Sequence, residues 1–152
     1  MKQIDMKYFN KEKVEVRGSL SHGSDCTIDI NVIFEGKVLL GNNVTIGSNC
    51  IIKDSEIGSN TMIKPFSLIE KSIINESCNV GPYANLRKGS KIDSDTSIGN
   101  FVEIKDSRIG KNCRINHLSF IGDSILEENV TIGASTITCN HNGNEFKKII
   151  IR

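Results

Sequence analysis

The sequence predicts an all-β fold in which short parallel strands wind as a three-sided coil, one hexapeptide to a side. Three observations carry this. Large aliphatic or aromatic residues recur at every sixth position from Ile28 to Ile132, the few shortened steps in that series fall in register, and a small or compact residue follows most of the large ones by four places. Neither the 3.6-residue period of an α-helix nor the 2-residue period of a plain strand produces a strict period of six, whereas a triangular coil does.

The series runs through Ile28, Phe34, Leu40, Ile46 and Ile52, then Ile57, Ile63 and Ile69, then Ile74, Val80, Leu86, Ile92, Ile98 and Ile104. It continues through Ile109, Ile115 and Ile121, then Leu126 and Ile132. The five-residue steps end at Ile57, Ile74, Ile109 and Leu126, whole coils apart, which keeps the shortened corner on one vertical edge. Val44, Cys50, Thr61, Ser67, Cys78, Ala84, Ser90, Thr96, Val102, Cys113, Ser119 and Val130 are among the compact residues expected to fill the narrow interior beside each corner. Glycine directly follows many core positions, as at Gly41, Gly47, Gly58 and Gly99, where a tight corner is expected to need a residue tolerant of unusual dihedrals. Division of the length by the repeat predicts about six coils.

Residues 1–20 lack the sixfold phase and carry Lys7, Lys11, Lys13, Glu12 and Glu15, which suits a short N-terminal arm or cap. The helix is expected over 21–139. From Asn140 the stretch HNGNEFKK shows no phase, so 140–152 reads as a projecting loop and a shortened C-terminal segment.

Composition excludes several classes. Lys plus Arg (19) nearly balance Asp plus Glu (18), leaving +1, so no global field favours nucleic acid or an anionic membrane, and a phosphate must be met by particular residues. No apolar run approaches the roughly 20 residues of a membrane span, and the charged start lacks a signal peptide's apolar stretch, so a cytoplasmic protein is expected. Cys26, Cys50, Cys78, Cys113 and Cys139 are odd in number and never arranged as CxxC, which points to buried free thiols rather than disulfides or zinc. No metal is expected.

His117 lies in RINHLSFIGDS, two residues after the core position Ile115. An imidazole, with an ordinary pKa of about 6.5, is the natural group to take a proton from an ammonium or hydroxyl near neutral pH; standing alone, the residue would better suit a surface or packing position. One coil earlier Glu103 and Lys105 flank Ile104, and a coil before that Arg87 follows Leu86. The spacing puts Arg87 and Lys105 on adjacent rungs of one corner, either as a grip on a phosphate or as a solvated basic ladder. Glu103 is placed either to orient His117 or to balance Lys105.

The stretches RGSLSHG, INVIFEGKV, GPYANLRKGS, GNFVEIK, NHLSFIGDS and TIGASTITCNHNG together resemble the C-terminal acetyltransferase domain of the bacterial bifunctional glucosamine-1-phosphate acetyltransferase and N-acetylglucosamine-1-phosphate uridyltransferase, in order and through nearly the whole chain. The resemblance implies a left-handed parallel β-helix, a handedness the periodicity does not supply. It implies acetyl transfer from acetyl-CoA, as co-substrate, to the amine of glucosamine 1-phosphate, a step towards UDP-N-acetylglucosamine, in a homotrimer. It implies His117 as general base with Glu103 polarising it, Arg87, Lys105, Phe120 and Thr131 on the sugar phosphate, and Ala134, Asn140 and His141 on acetyl-CoA. The oxyanion donor is then a backbone amide or Asn140.

The chain departs from the family pattern in four places. Phe120 stands for a substrate-contacting Tyr, Thr131 for an Asn, His141 for a Tyr, and Glu145 falls near a basic sugar-phosphate contact, where it is expected to repel phosphate. The family domain continues for several coils beyond FKKII, and no Gly-rich nucleotide loop precedes the first coil, so at most one of the two activities is expected. The alternative is a degenerate homologue that binds or scaffolds without catalysis. A carbonic-anhydrase-like metal site is disfavoured because the three histidines do not fall one coil apart.

Overall fold

In the computed structural model, which describes residues 6–152, nineteen short strands join in one continuous parallel sheet that winds as a coil. There are about seven coils, close to the six expected. The helical element among the described residues is a single 3-10 turn, Lys11–Lys13, so no helix there is long and apolar enough to cross a membrane.

Parallel register turns the sixfold periodicity into three vertical columns. The first sheet stacks Tyr8, Ile28, Ile46, Ile63, Val80, Ile98, Ile115 and Ile132. The second stacks Phe34, Ile52, Ile69, Leu86, Ile104 and Ile121. The third stacks Leu40, Ile57, Ile74, Ile92, Ile109 and Leu126, so the five-residue steps all end on this one side, as expected. Nearly all of these side chains are fully buried, and each fully buried aliphatic side chain contributes about 1.5–3 kcal/mol of hydrophobic stabilisation.

The compact residues fill the space behind the corners. Where they carry hydroxyls, these donate to carbonyls of the next rung: Thr61 to Asn75 at 3.0 Å, Ser90 to Ile104 at 3.0 Å and Thr96 to Gly110 at 2.9 Å. A buried hydroxyl is thereby satisfied in a core that offers only backbone acceptors.

Several glycines serve a different purpose from the one expected, although Gly81 (φ 95°) fits the expectation. The corners with positive φ are held by Asn, Asp and larger residues, such as Asn43 (φ 55°), Asp54 (φ 45°) and Asn60 (φ 60°), whose polar side chains tolerate that region. Gly41, Gly47, Gly58 and Gly99 sit beside these corners because a Cβ there would strike the next rung, at 2.6 Å from Ser59 N, 2.7 Å from Pro65, 2.6 Å from Asn75 C and 1.9 Å from Asn116 O respectively. Close approach, not backbone freedom, demands them.

At the N-terminal end, Lys7–Tyr8 and Val14–His22 pair in parallel with Thr27–Ile28 and Val32–Leu40. The segment expected as an arm or cap is therefore hydrogen-bonded into the coil as its first rung; residues 1–5 lie outside the described range. The sixfold phase fades there because an end rung packs against one neighbour only, and Val16, in the column of Phe34, is 45% exposed. At the other end the chain leaves the coil at Asn140 and returns at Ile149–Ile151, which pairs with Ser124–Leu126.

Four of the five cysteines are buried; Cys139 is exposed, contrary to expectation. Burial pushes the Cys50 and Cys78 thiols from an ordinary 9.0 up to about 11. Because the folded state resists their ionisation, the stability tied to the neutral thiols is intact below about pH 9 and is lost as pH rises towards about 11. A thiol reagent is expected to modify Cys139 alone in the native protein and the other four only on unfolding, which counting labelled thiols by mass spectrometry with and without denaturant checks.

Candidate functional site

Two edges of the prism carry the candidate residues. Along the edge that follows the second sheet, register stacks Arg17, Glu35, Lys53 and Glu70, then Arg87 beside Glu70 and Lys105 beside Arg87. The sign alternates up to Arg87 and then repeats at Lys105. The doubled step sets two cations on neighbouring rungs, where a bound anion would relieve their mutual repulsion. Lys105 in turn lies under Gly122, which brings no side chain.

Arg87 and Lys105, with Glu70, Lys88, Gly89 and Asp106, line a cavity of about 550 Å³. Each cation leans on a carboxylate: Arg87 Nη1 lies 2.6 Å from Glu103 Oε1, and Lys105 Nζ lies 3.6 Å from Asp123 Oδ2. These pairs are partly exposed, and such pairs are worth only about 0–1 kcal/mol, so an entering dianion displaces or joins them at little cost.

The second edge, between the first and second sheets, carries His117. It belongs to Arg114–Gly122, which pairs through seven residues with Ser97–Lys105. His117 stands opposite Asn100, and its Nδ1 is 2.9 Å from Asn100 Oδ1. Glu103 therefore does not touch the imidazole; it is taken up by Arg87, which corrects the expected Glu103 to His117 contact. The backbone explains this: Glu103 lies three residues beyond Asn100, past the corner made at Phe101 (φ 56°). Asn100 is the residue that sequence reasoning missed, although its place one coil before His117 was legible.

Between the two edges the second sheet presents one outward column of Asn85, Glu103, Phe120 and Ile137. Phe120 and Glu103 thus form the floor between His117 and the paired cations. The Phe120 ring turns towards Gly122, where a Cβ would lie 2.7 Å from the ring and 2.8 Å from Asn140 Nδ2. Asn140, buried, donates through that Nδ2 to Asp123, so Asp123 joins the cation Lys105 to the start of the projecting loop.

The loop folds back over the same corner. Phe146 stacks on Lys105 with Nζ 4.4 Å from the ring centre, and His141 packs against Phe146 at 4.6 Å. Glu145 pairs with Lys147 at 3.7 Å, which offsets the repulsion of phosphate expected from it. Ala134 is exposed on the last rung. Thr131 is also exposed but lies on the first sheet, beside Arg114, so one chain does not bring it into the cavity with Arg87 and Lys105.

Beside His117 runs an exposed apolar ridge. Phe66, Tyr83, Phe101 and Leu118 occupy the corner positions of successive rungs, with φ of 61°, 54°, 56° and 46°. The three rings stack at 5.1 and 5.3 Å. Left-handed backbone costs roughly 1–2 kcal/mol for each bulky residue, so the corner stores strain next to the candidate base.

A family model for the GMPPB C-terminal domain matches residues 16–90. The bifunctional protein GlmU of Chromobacterium violaceum is 46% identical over 139 residues, 91% of this chain and 30% of that protein. GlmU of Marinobacter nauticus is 50% identical over 131 residues, covering 86% and 29%. Over nearly its whole length the chain is similar to a C-terminal part of GlmU proteins.

It spans about 30% of the length of the GlmU proteins it matches. Two solved structures share the fold at low identity. A hexapeptide transferase family protein from Anaplasma phagocytophilum aligns with a TM-score of 0.55 at 17% identity, covering 91% of this chain and 74% of that one. The UDP-N-acetylglucosamine acyltransferase of Francisella novicida aligns with a TM-score of 0.52 at 17% identity, covering 89% and 66%. The edge bearing Arg87 and Lys105 and the corner bearing His117 both lie within the part of the chain that is similar to GlmU.

Proposed function

We propose that the chain transfers an acetyl group from acetyl-CoA to the amine of glucosamine 1-phosphate, on the route to UDP-N-acetylglucosamine. The observation that carries the reading is the doubled cation step of Arg87 and Lys105 on a cavity, separated from a histidine by the outward side chains of Glu103 and Phe120. The phosphate is held by charge-assisted bonds from Arg87 and Lys105, the ring lies over Phe120 and Glu103, and the amine points to His117. His117 takes a proton from the ammonium, and the free amine attacks the thioester carbonyl. Collapse of the tetrahedral adduct breaks the C–S bond; the departing thiolate takes the proton held by His117, and the nitrogen of the adduct loses its surplus proton to solvent.

Ala134, Asn140 and His141, on the last rung and the loop, are assigned to acetyl-CoA. Asn140 Nδ2 carries two hydrogens and commits one to Asp123, so it retains a donor for the oxyanion. Thr131, one face away, reaches the sugar of a neighbouring copy in a homotrimer, and the ridge of Phe66, Tyr83 and Phe101 supplies apolar surface for that association.

A second reading is a β-helix that binds or scaffolds without catalysis. It is favoured by the way Phe146 and Asp123 already hold Lys105. The deciding experiment is acetyl-CoA-dependent loss of the substrate amine with purified protein. The acetyltransferase reading expects turnover, and Lys105→Ala is expected to raise KM for the sugar phosphate about tenfold or more, for a lost bond to a charged group worth roughly 1.5–3 kcal/mol, with kcat changed much less. No turnover, or turnover that survives His117→Ala unchanged, would overturn it.

A further inference from the structure

We infer that Asn100, and not Glu103, is the positioning residue that sets the tautomer and orientation of the His117 imidazole; the inference rests on the acetyltransferase reading for its kinetic consequence but not for its spectroscopic one. Asn100 Oδ1 lies 2.9 Å from His117 Nδ1. A carbonyl oxygen only accepts, so Nδ1 carries the hydrogen and Nε2 is left bare to take a proton. The pairing is built into the fold. Asn100 and His117 are register partners at the centre of the longest-paired strands flanking the site. The rungs are drawn together one residue earlier, where Gly99 has no room for a Cβ against Asn116 O. The buried Ser119 hydroxyl donates to the His117 carbonyl at 2.8 Å, and the next residues, Phe101 and Leu118, sit in left-handed backbone, a strain that persists where the surroundings over-determine it.

Glu103 is bound instead to Arg87 at 2.6 Å. The division of labour that follows is a neutral amide for the base and a carboxylate for the phosphate grip. With a neutral partner, Asn100 holds the ring in place without drawing the captured proton towards a carboxylate, so His117 passes it on freely once the thiolate departs.

The test is long-range proton–nitrogen NMR on ¹⁵N-histidine-labelled protein at about pH 8, where imidazoles are neutral, paired with steady-state kinetics. Only His22, His117 and His141 contribute signals. The expected result is a protonated Nδ1 and bare Nε2 for His117 in the wild type. Asn100→Leu is expected to lose that preference and to lower kcat at least about tenfold, the wrong tautomer being costly to a general base, with both KM values nearly constant. Asn100→Asp, which still accepts from Nδ1, is expected to restore the tautomer and most of kcat, and Glu103→Gln to leave the tautomer as it is. A wild-type ring protonated on Nε2, a tautomer unmoved by Asn100→Leu, or one moved by Glu103→Gln overturns the assignment. A tautomer that follows Asn100 in a protein that transfers no acetyl group sustains the assignment and removes the acetyltransferase reading instead.

Discussion

His117→Ala is expected to lower kcat for acetyl transfer by about 10²- to 10⁴-fold, the range a positioned general base supplies, while KM for the sugar phosphate changes little. The asymmetry follows from where the groups sit. In the proposed reaction the phosphate is gripped by Arg87 and Lys105 on one edge of the second sheet and the proton is taken at the other edge, with Glu103 and Phe120 between them. Removing the imidazole leaves the grip intact. His117 is exposed, so truncation opens no cavity, and an unchanged melting temperature distinguishes lost chemistry from lost structure. Steady-state kinetics with both substrates varied gives the split directly. A KM that rises in step with a modest fall in kcat would move His117 from base to binding group.

Gly99→Ala is expected to be the most damaging small substitution beside the site, costing about 3 kcal/mol or more. Its Cβ would lie 1.9 Å from Asn116 O, 2.5 Å from Asn116 C and 2.8 Å from Asn116 Cα. All three are backbone or backbone-bound atoms of the next rung, which cannot withdraw without parting the ladder between Ser97–Lys105 and Arg114–Gly122. Because Asn100 and His117 are the next residues on those two rungs, activity is expected to fall with stability. Gly133→Ala is the control: nothing lies within 4 Å of a Cβ there, and a change within about 0.5 kcal/mol is expected. Denaturant unfolding of the two variants beside the wild type measures both, and a Gly99→Ala protein as stable as Gly133→Ala would show that the rungs part more readily than their hydrogen bonds imply.

The coil was legible because its periodicity is a packing requirement repeated at every turn. Each column of the core needs a large aliphatic group, as from Ile28 through Ile46 and Ile63 to Ile115, and a requirement repeated that often leaves a pattern that chance does not. The first rung was illegible for the converse reason. Tyr8, Val14 and Val16 pack on one side only, so their positions carry a weaker constraint, and the segment read as an arm.

The candidate site divides along the same line. That Arg87 and Lys105 share a corner follows from coil arithmetic on the sequence. The partner of a side chain does not, because one coil of separation brings several polar groups within reach and the choice rests on angles at the corner. Glu103 had two plausible partners in sequence and found Arg87. Asn100, which lies in the GNFVEIK stretch but carries no charge, found His117. Glu145 found Lys147, and Asp123 found both Lys105 and Asn140.

The sequence by itself thus determined the three-sided β-helix, its shortened edge, the column to which each residue belongs and the stacking of two cations one rung apart, since all of these follow from counting residues around a coil of constant pitch. Only the tertiary structure decided which polar groups touch, why glycine is required beside the corners, and that the chain returns from its loop to cover Lys105 with Phe146. Those outcomes depend on distances of a few tenths of an ångström between neighbouring rungs, to which a periodic pattern is blind.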